Sequence, residues 1–206
     1  MFVGILAVVG TVISVTVSLV LSVGDVIQLT QLVLSLAAAL TSLLAAVHVC
    51  GRRAARRADT GLVVDLLLVV SLAGVIAMAC FDAMAAHDAG QRTTVVVSVV
   101  VVCQSVLQTG VVAVAGRRRQ SSSRLCSWRQ TVALLMACNV AMWLMEVLRC
   151  AGLTTHSSHA LAVYTALTYR SIVLVLAPIA IFHRFITVVC LLVMWKQTVA
   201  HSTTAL

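Results

Sequence analysis

A histidine and an arginine, His183 and Arg184, lie side by side in an apolar stretch that extends from residue 172 to residue 195. Histidine titrates near neutral pH and is suited to proton transfer, whereas arginine carries a charge. A charged side chain at the centre of a transmembrane helix costs at least ~2.5 kcal/mol, so such residues usually face a bundle interior or a polar cavity. The pair therefore indicates a polar path through a membrane.

Four further polar residues lie inside apolar stretches at helical spacing. Gln104 and Gln108 are one turn apart, and Asn139 and Glu146 are two turns apart, so each pair shares one face of a helix. Together with His183, these amide, carboxyl and imidazole groups could line a narrow, partly hydrated passage suited to proton movement. The alternative is that they only form hydrogen bonds between helices and determine how the helices pack.

Neighbouring residues are expected to support such a site. Asp65, near the start of an apolar stretch, is predicted to be a structural charge, and Arg184 is predicted to pair with an acid or with backbone carbonyls. For Glu146, an ion pair with Arg149 one turn away is the simpler interpretation. Pro178 lacks a backbone N–H, which predicts a helix kink whose freed carbonyls could join the polar site.

The composition requires a membrane setting for these residues. Hydrophobic residues make up 62% of the chain and charged residues 10%, which is more apolar surface than a soluble domain of 206 residues needs. A transmembrane helix needs about 20 apolar residues, and in lipid an open chain satisfies its backbone only as a helix. We therefore predict an all-α, polytopic membrane helix bundle. Its six spans are 2–23, 26–50, 61–86, 93–115, 131–150 and 161–195, the last beginning as an interfacial or tilted segment before about residue 171.

The basic residues orient this bundle. Four arginines lie between spans two and three (residues 52–57), five lie between 117 and 129, and Lys196 follows span six. Because basic residues mark cytoplasmic loops, their alternation predicts six spans with both termini in the cytoplasm. Attraction to anionic lipid is the expected partner interaction. Nucleic-acid binding is a poor alternative, since the clusters are short, lack interleaved aromatics and adjoin membrane helices.

The sequence contains no motif for a cofactor or an enzyme. The seven cysteines are scattered without zinc or redox spacing, and most fall inside spans, where cysteine acts as a small hydrophobe. His156 and His159 are close enough for a metal, but loop histidines at this spacing are usually not ligands. His-Glu-x-x-His, Gly-x-Ser-x-Gly and paired intramembrane aspartates are absent. We predict no bound metal, no cofactor and no enzymatic activity.

Two segments carry a more specific pattern. Residues 178–196 place proline, aliphatic residues, Phe182, Arg184, Phe185, Cys-Leu and Trp-Lys in order, and residues 138–146 place Cys-Asn, aliphatic residues, tryptophan and an acid. In these segments the chain resembles the carboxyl-terminal half of the otopetrins, which are proton channels with twelve membrane helices. Residues 104–108 and 2–6 resemble earlier helices of that half. The chain departs from the pattern at His183 and Ile186, where the family usually has tyrosine and histidine.

The resemblance implies a function and a set of partners. It implies that residues 1–206 form one six-helix domain, an otopetrin-like proton-selective channel subunit or fragment in the plasma membrane. Because otopetrins pair two six-helix halves and form dimers, it implies a homo-oligomer, a partner half-channel or a longer parent chain. In such a channel we expect Gln108 and Asn139 to hold water, Glu146 and His183 to titrate, and Arg184 to be structural. The competing hypothesis is a non-conducting membrane interaction protein.

Overall fold

The computed structural model describes residues 24–50, 62–116, 125–150 and 164–203, and every regular element within them is an α-helix. The helices are α1 (Gly24–Cys50), α2 (Leu62–Asp88), α3 (Arg92–Gly116), α4 (Leu125–Cys150) and α5 (Ala166–Thr203). Each contains a segment long and apolar enough to cross a membrane. The all-helical membrane class is thus confirmed. The predicted first span, 2–23, lies outside the described residues, so the count of six spans and the side of the termini remain predictions.

Two helices have bounds that differ from the predicted spans. α4 begins at Leu125 rather than at residue 131, because its first turns contain polar residues that an apolar window rejects. Trp128 in this section is buried, so packing extends the helix past its apolar part. α5 is one continuous helix of 38 residues, which begins at Ala166 and continues past residue 195 to Thr203. Its apolar part alone has 31 residues, about 46 Å at 1.5 Å per residue, which exceeds the ~30 Å hydrocarbon core.

The connection between α2 and α3 is closed by a glycine. Gly90 has a φ of 70°, a left-handed conformation that costs glycine little. The Gly90 N–H donates to the carbonyl of His87 at 3.0 Å, and the Gln91 N–H donates to that of Ala86 at 2.8 Å. These two bonds form a Schellman motif, which ends α2 and reverses the chain. The short turn makes α2 and α3 antiparallel neighbours.

The helices are arranged as a ring in the order α1, α3, α2, α5, α4, with α4 returning to α1. α3 and α5 also touch across the ring. This cross-contact matters for function because it brings the middle of α3, with its two glutamines, to the middle of α5, with its histidine and arginine. The pairs of neighbouring helices in this ring are not all consecutive in the chain, so sequence order alone does not indicate them.

Two apolar clusters fill the bundle at different levels. The larger includes Leu68 of α2, Val111 of α3 and Leu191 of α5, together with much of α4. The smaller is formed by Val75, Val97, Val101 and Ala180. On each of α2, α3 and α5, polar residues separate the part of the helix in the smaller cluster from the part in the larger one; the chain runs toward the larger cluster on α3 and α5 and away from it on α2. The bundle therefore contains one polar level between two apolar levels.

The outer surface of the helices is apolar and the interior is partly polar. On α1, exposed leucines and valines recur at helical spacing: Leu29, Val33, Leu36, Leu40, Leu44 and Val47. On the opposite face of the same helix Ser35 and Ser42 are fully buried. A soluble protein mostly exposes polar side chains, whereas on this helix the exposed face is apolar and the buried face carries polar residues. This reversal is what a helix bundle surrounded by lipid requires.

Candidate functional site

The polar level contains six residues on four helices, and we call it the polar layer. Its members are Ser71 of α2, Gln104 and Gln108 of α3, Glu146 of α4, and His183 and Arg184 of α5. Five of them are at most 1% exposed, and the side chain of Glu146 is 18% exposed. The layer thus brings together most of the residues that the sequence singled out.

His183 and Arg184 contact different helices although they are adjacent in the chain. Consecutive residues of an α-helix project about 100° apart, so two neighbours can face two partners. His183 turns toward α2, where its Nδ1 lies 3.0 Å from the Ser71 hydroxyl oxygen. Arg184 turns toward α3 and α4. The pair therefore divides into a neutral contact on one side and a charged network on the other.

Arg184 is the centre of the charged network. Its Nη1 donates a hydrogen bond of 2.9 Å to Gln104 Oε1, and its Nε lies 3.6 Å from Glu146 Oε1. Gln104 in turn donates through Nε2 to Gln108 Oε1. The hydroxyl of Ser105 also reaches Gln104 Oε1, at 3.4 Å. One buried cation thereby links an amide pair on α3 to a carboxylate on α4.

Glu146 pairs with a distant residue. The side chain of Arg149, which the sequence offers as a partner one turn away, lies outside the described side chains. The observed partner is Arg184 on α5, and the two helices pack directly against each other. An isolated charge in the interior of the bundle is strongly unfavourable, so Arg184 and Glu146 each need the other as a partner. The contact therefore fixes the level at which α4 and α5 meet.

Four buried side-chain atoms in this region have no hydrogen-bond partner among the described residues. They are Gln108 Nε2, Asn139 Oδ1, Glu146 Oε2 and Arg184 Nε, the last of which lies in the ion pair with Glu146. A buried polar group left unsatisfied costs about 1–3 kcal/mol, and buried polar groups in native proteins that lack a protein partner are usually satisfied by water. Two donors and two acceptors are thus available for water, and the two acceptors also for a proton.

Asn139 lies away from the polar layer itself. It is on the same face of α4 as Glu146, about two turns and ~10 Å along the axis. Its Nδ2 donates to the carbonyl of Leu135 at 2.7 Å, within its own helix. Its neighbour Cys138 belongs to the larger apolar cluster. The structure therefore gathers Gln104, Gln108 and Glu146 around Arg184, whereas Asn139 is a separate polar point deeper in the bundle.

Two other predicted residues do not reach the layer. Asp65 is half-buried in the first turn of α2, where the helix dipole stabilises a carboxylate, and it lies about 9 Å along the axis from Ser71. Pro178 is exposed, and the helix continues through it. The carbonyl that it frees belongs to Leu174, which is 76% exposed and about 14 Å along the axis from His183. The expectation that freed carbonyls join the polar site is therefore wrong.

The sequence patterns alone did not indicate a role for Ser71 or Gly74. Ser71 is a lone hydroxyl in a leucine- and valine-rich span, and a serine in such a span often bonds only to its own helix; Ser71 indeed also donates to the carbonyl of Leu68 at 3.1 Å. Gly74, one turn later, marks the place where α2 and α5 approach closely. A Cβ added to Gly74 would lie 2.8 Å from the Cβ of Ile179. Only glycine permits this approach, and the approach lets Ser71 reach His183.

Within the described ranges, no group of three His, Cys, Asp or Glu residues is placed to hold a metal ion. The polar layer offers one carboxylate, one imidazole, two amides and a hydroxyl, and its charge is balanced by an arginine. This set suits the binding and transfer of protons or water better than the binding of a metal ion, which needs several free oxygen, nitrogen or sulfur ligands.

Comparison with known protein families gives one assignment. The family model described as Otopetrin matches residues 1–185, which is most of the chain. The matched range contains every residue of the polar layer, and it ends at Phe185, the last residue of the Phe-His-Arg-Phe section of the closing pattern. Residues 186–196, which also carried the resemblance, lie outside it. The comparison with curated proteins gives no match.

Proposed function

The chain belongs to the otopetrin family, and on this premise we propose that it is a proton channel subunit or fragment whose path crosses the polar layer. Membership of this family indicates a proton-channel-type function rather than an enzyme. The five long apolar helices are those of an integral, multi-pass membrane protein. Conduction of protons by this chain is the step that the proposal adds.

The observation that carries the proposal is the position of the polar layer between two apolar clusters. Water and ions are excluded from the tightly packed apolar clusters. A proton that crosses the bundle therefore needs acceptor groups at the level between the two clusters. The polar layer supplies them on α2, α3, α4 and α5. It also contains two side chains that can gain and lose a proton, the imidazole of His183 on α5 and the carboxylate of Glu146 on α4.

The unpartnered atoms support a role for each residue. Glu146 Oε1 faces Arg184, while Glu146 Oε2 has no partner among the described residues and can accept a proton. Gln108 Nε2 and Asn139 Oδ1 can each hold a water, one as donor and one as acceptor. We assign Glu146 and His183 as titrating steps, and Gln104, Gln108 and Asn139 as hydrogen-bonding steps. Arg184 is assigned as the structural charge that holds Gln104 and Glu146 in place.

A second function is favoured by the same network. Gln104 and Glu146 are both engaged by Arg184, and interhelical polar contacts of this kind hold membrane helices together. In a non-conducting membrane interaction protein, the polar layer would only determine how the helices pack. The two functions differ in the role that they predict for Glu146 Oε2. A proton path uses this atom as a proton acceptor, whereas a packing role does not use it.

The remaining assignments rest on the family. We propose that residues 1–206 form a single six-helix domain corresponding to the carboxyl-terminal half of an otopetrin, located in the plasma membrane. We propose that it acts as a homo-oligomer or with a partner half-channel. The broad apolar face of α1 would then contact lipid or another membrane helix.

Proton flux through the purified chain tests the proposal. The full chain is reconstituted in liposomes that contain a pH-sensitive dye, and a pH gradient is imposed with a potassium ionophore to carry the balancing charge. We expect proton entry from the wild-type chain. Glu146→Gln should reduce it by about a hundredfold or more, the lower end of the range for the loss of a positioned proton-transfer group.

Asp88→Asn is the matched control. Asp88 carries a carboxylate that is 62% exposed at the end of α2, far from the polar layer. Its neutralisation should leave the flux unchanged. Absence of flux from a folded wild-type chain contradicts conduction by this chain and favours the packing function. Equal flux in wild type and Glu146→Gln contradicts the role of Glu146 while leaving conduction intact.

A further inference from the structure

We propose that Arg184 makes the polar layer selective for protons over metal cations, because it occupies the oxygens that a metal cation would need. The inference rests on the proposed function, since it concerns the same path. It assigns to Arg184 a role beyond holding the helices together. It identifies the excluded species by chemistry: alkali cations such as Na⁺ and K⁺.

The oxygens of the polar layer are already engaged. Gln104 Oε1 accepts from Arg184 Nη1 at 2.9 Å and from the Ser105 hydroxyl at 3.4 Å. Gln108 Oε1 accepts from Gln104 Nε2. Glu146 Oε1 lies 3.6 Å from Arg184 Nε. Two of these three oxygens thus accept hydrogen bonds and the third lies in an ion pair, and two of the three contacts are made by Arg184 itself.

A dehydrated metal cation needs several oxygens at the same time. Filters that conduct metal cations therefore present rings of carbonyl or carboxylate oxygens that replace the hydration shell. A proton needs only one acceptor at each step and can pass along hydrogen-bonded groups and water. Glu146 Oε2 and Asn139 Oδ1, which have no partner among the described residues, provide such single acceptors. The network leaves acceptors for a proton but no ligand shell for a metal ion.

The charge of Arg184 acts in the same direction. The side chain is 1% exposed, so little water screens its field. Glu146, its acidic partner, is already paired with it. A second cation entering the layer would meet a fixed positive charge without a free carboxylate to balance it. A proton carried on Glu146 also leaves the charge of Arg184 unbalanced, but it binds a single oxygen, Glu146 Oε2, and needs no ligand shell of its own.

Two substitutions test the positive charge through which Arg184 engages these oxygens. Arg184→Gln removes the charge and leaves an amide that offers one more oxygen. Arg184→Lys keeps a positive charge at the same position and is the matched control. Both variants and the wild type are reconstituted as full chains in liposomes. Na⁺ entry is followed with a sodium-sensitive dye and proton entry with a pH-sensitive dye.

We expect Na⁺ entry only when the positive charge is absent. In Arg184→Gln the ratio of proton to Na⁺ permeability should fall by about tenfold or more, within the range by which local charge changes ion concentration. Arg184→Lys should keep the wild-type ratio. A wild-type ratio in folded Arg184→Gln overturns the inference, and so does Na⁺ entry through Arg184→Lys equal to that through Arg184→Gln.

A second variant covers the case in which Arg184→Gln does not fold. Removal of Arg184 leaves Glu146 buried without its partner, whereas Arg184→Gln with Glu146→Gln leaves a neutral amide pair of similar size. This double variant should also admit Na⁺. If it folds and excludes Na⁺ as the wild type does, the inference is wrong. Absence of proton flux from the wild type overturns the proposed function and this inference together. If the wild type conducts protons and the variants keep its ratio of proton to Na⁺ permeability, this inference alone is overturned.

Discussion

The two sides of α5 differ in the contacts that hold this helix in the bundle. On the side of Arg184, a buried cation connects α5 to Gln104 of α3 and to Glu146 of α4. On the side of His183, one hydrogen bond connects α5 to Ser71 of α2, and this bond depends on the close approach at Gly74. The difference predicts that these two adjacent polar residues contribute unequally to the free energy of unfolding. The Arg184 side depends on charge, and the His183 side depends on shape.

The largest effect is expected on the charged side. Arg184→Ala should lower the free energy of unfolding by about 3 kcal/mol or more, because it leaves the Glu146 carboxylate buried and unpaired. Denaturant unfolding in detergent micelles, followed by circular dichroism, measures the change. Arg170→Ala is the control, since Arg170 lies on the exposed surface of the same helix. A loss no larger than that of the control would show that the ion pair adds nothing to stability.

The next effect is expected on the side that depends on shape. Gly74→Ala should lower the free energy of unfolding by about 1–3 kcal/mol, because the added methyl group forces α2 and α5 apart. Gly110→Ala is the matched control in the neighbouring helix: apart from the adjacent backbone of its own helix, no atom of the described residues lies within 4 Å of its added Cβ. Alanine there should be neutral or stabilising, by up to about 1 kcal/mol.

Thermal unfolding and refolding of both glycine variants under the same conditions test this comparison. Equal melting temperatures for the two variants would show that the α2 and α5 backbones can separate without cost. That outcome would also remove the argument that Gly74 positions Ser71 for its contact with His183.

The smallest effect is expected at the hydrogen bond itself. Ser71→Ala should cost about 0.6–1.5 kcal/mol, the range for a single polar contact between membrane helices. Ser171→Ala is the control, because Ser171 is exposed and donates only to the carbonyl of Leu167 in its own helix. Chemical denaturation in the same micelles compares the two. A Ser71→Ala loss as large as that of Arg184→Ala would contradict the unequal weight of the two sides.

Much of the fold was predictable from local chemistry. The all-helical class and the approximate bounds of α1, α2 and α3 follow from the lengths of their apolar stretches. The early start of α4 was not predictable in this way, because its first turns are polar and are retained in the helix by the packing of Trp128. Pro178 was expected to contribute carbonyls to the polar site, but whether a freed carbonyl is useful depends on the face on which it lies.

The residues of the candidate site were partly predictable. Gln104 and Gln108 share a face by helical periodicity, and the structure joins them directly by a hydrogen bond. The partner of Glu146 was not predictable, since a nearby arginine and a distant one fit the sequence equally well. Ser71 carried too weak a signal to be selected, because nothing in its own span distinguishes it from a serine that bonds to its own backbone.

The sequence by itself determined that this chain is a membrane protein of long helices with a few costly polar groups inside them. It did so because lipid excludes unsatisfied backbone and charge, so length and apolar content leave few alternatives. Only the tertiary structure decided which polar groups meet: Arg184 with Gln104 and Glu146, and His183 with Ser71. The reason is that such contacts depend on the order of helices in the ring and on their relative levels. These are properties of packing between segments far apart in the chain.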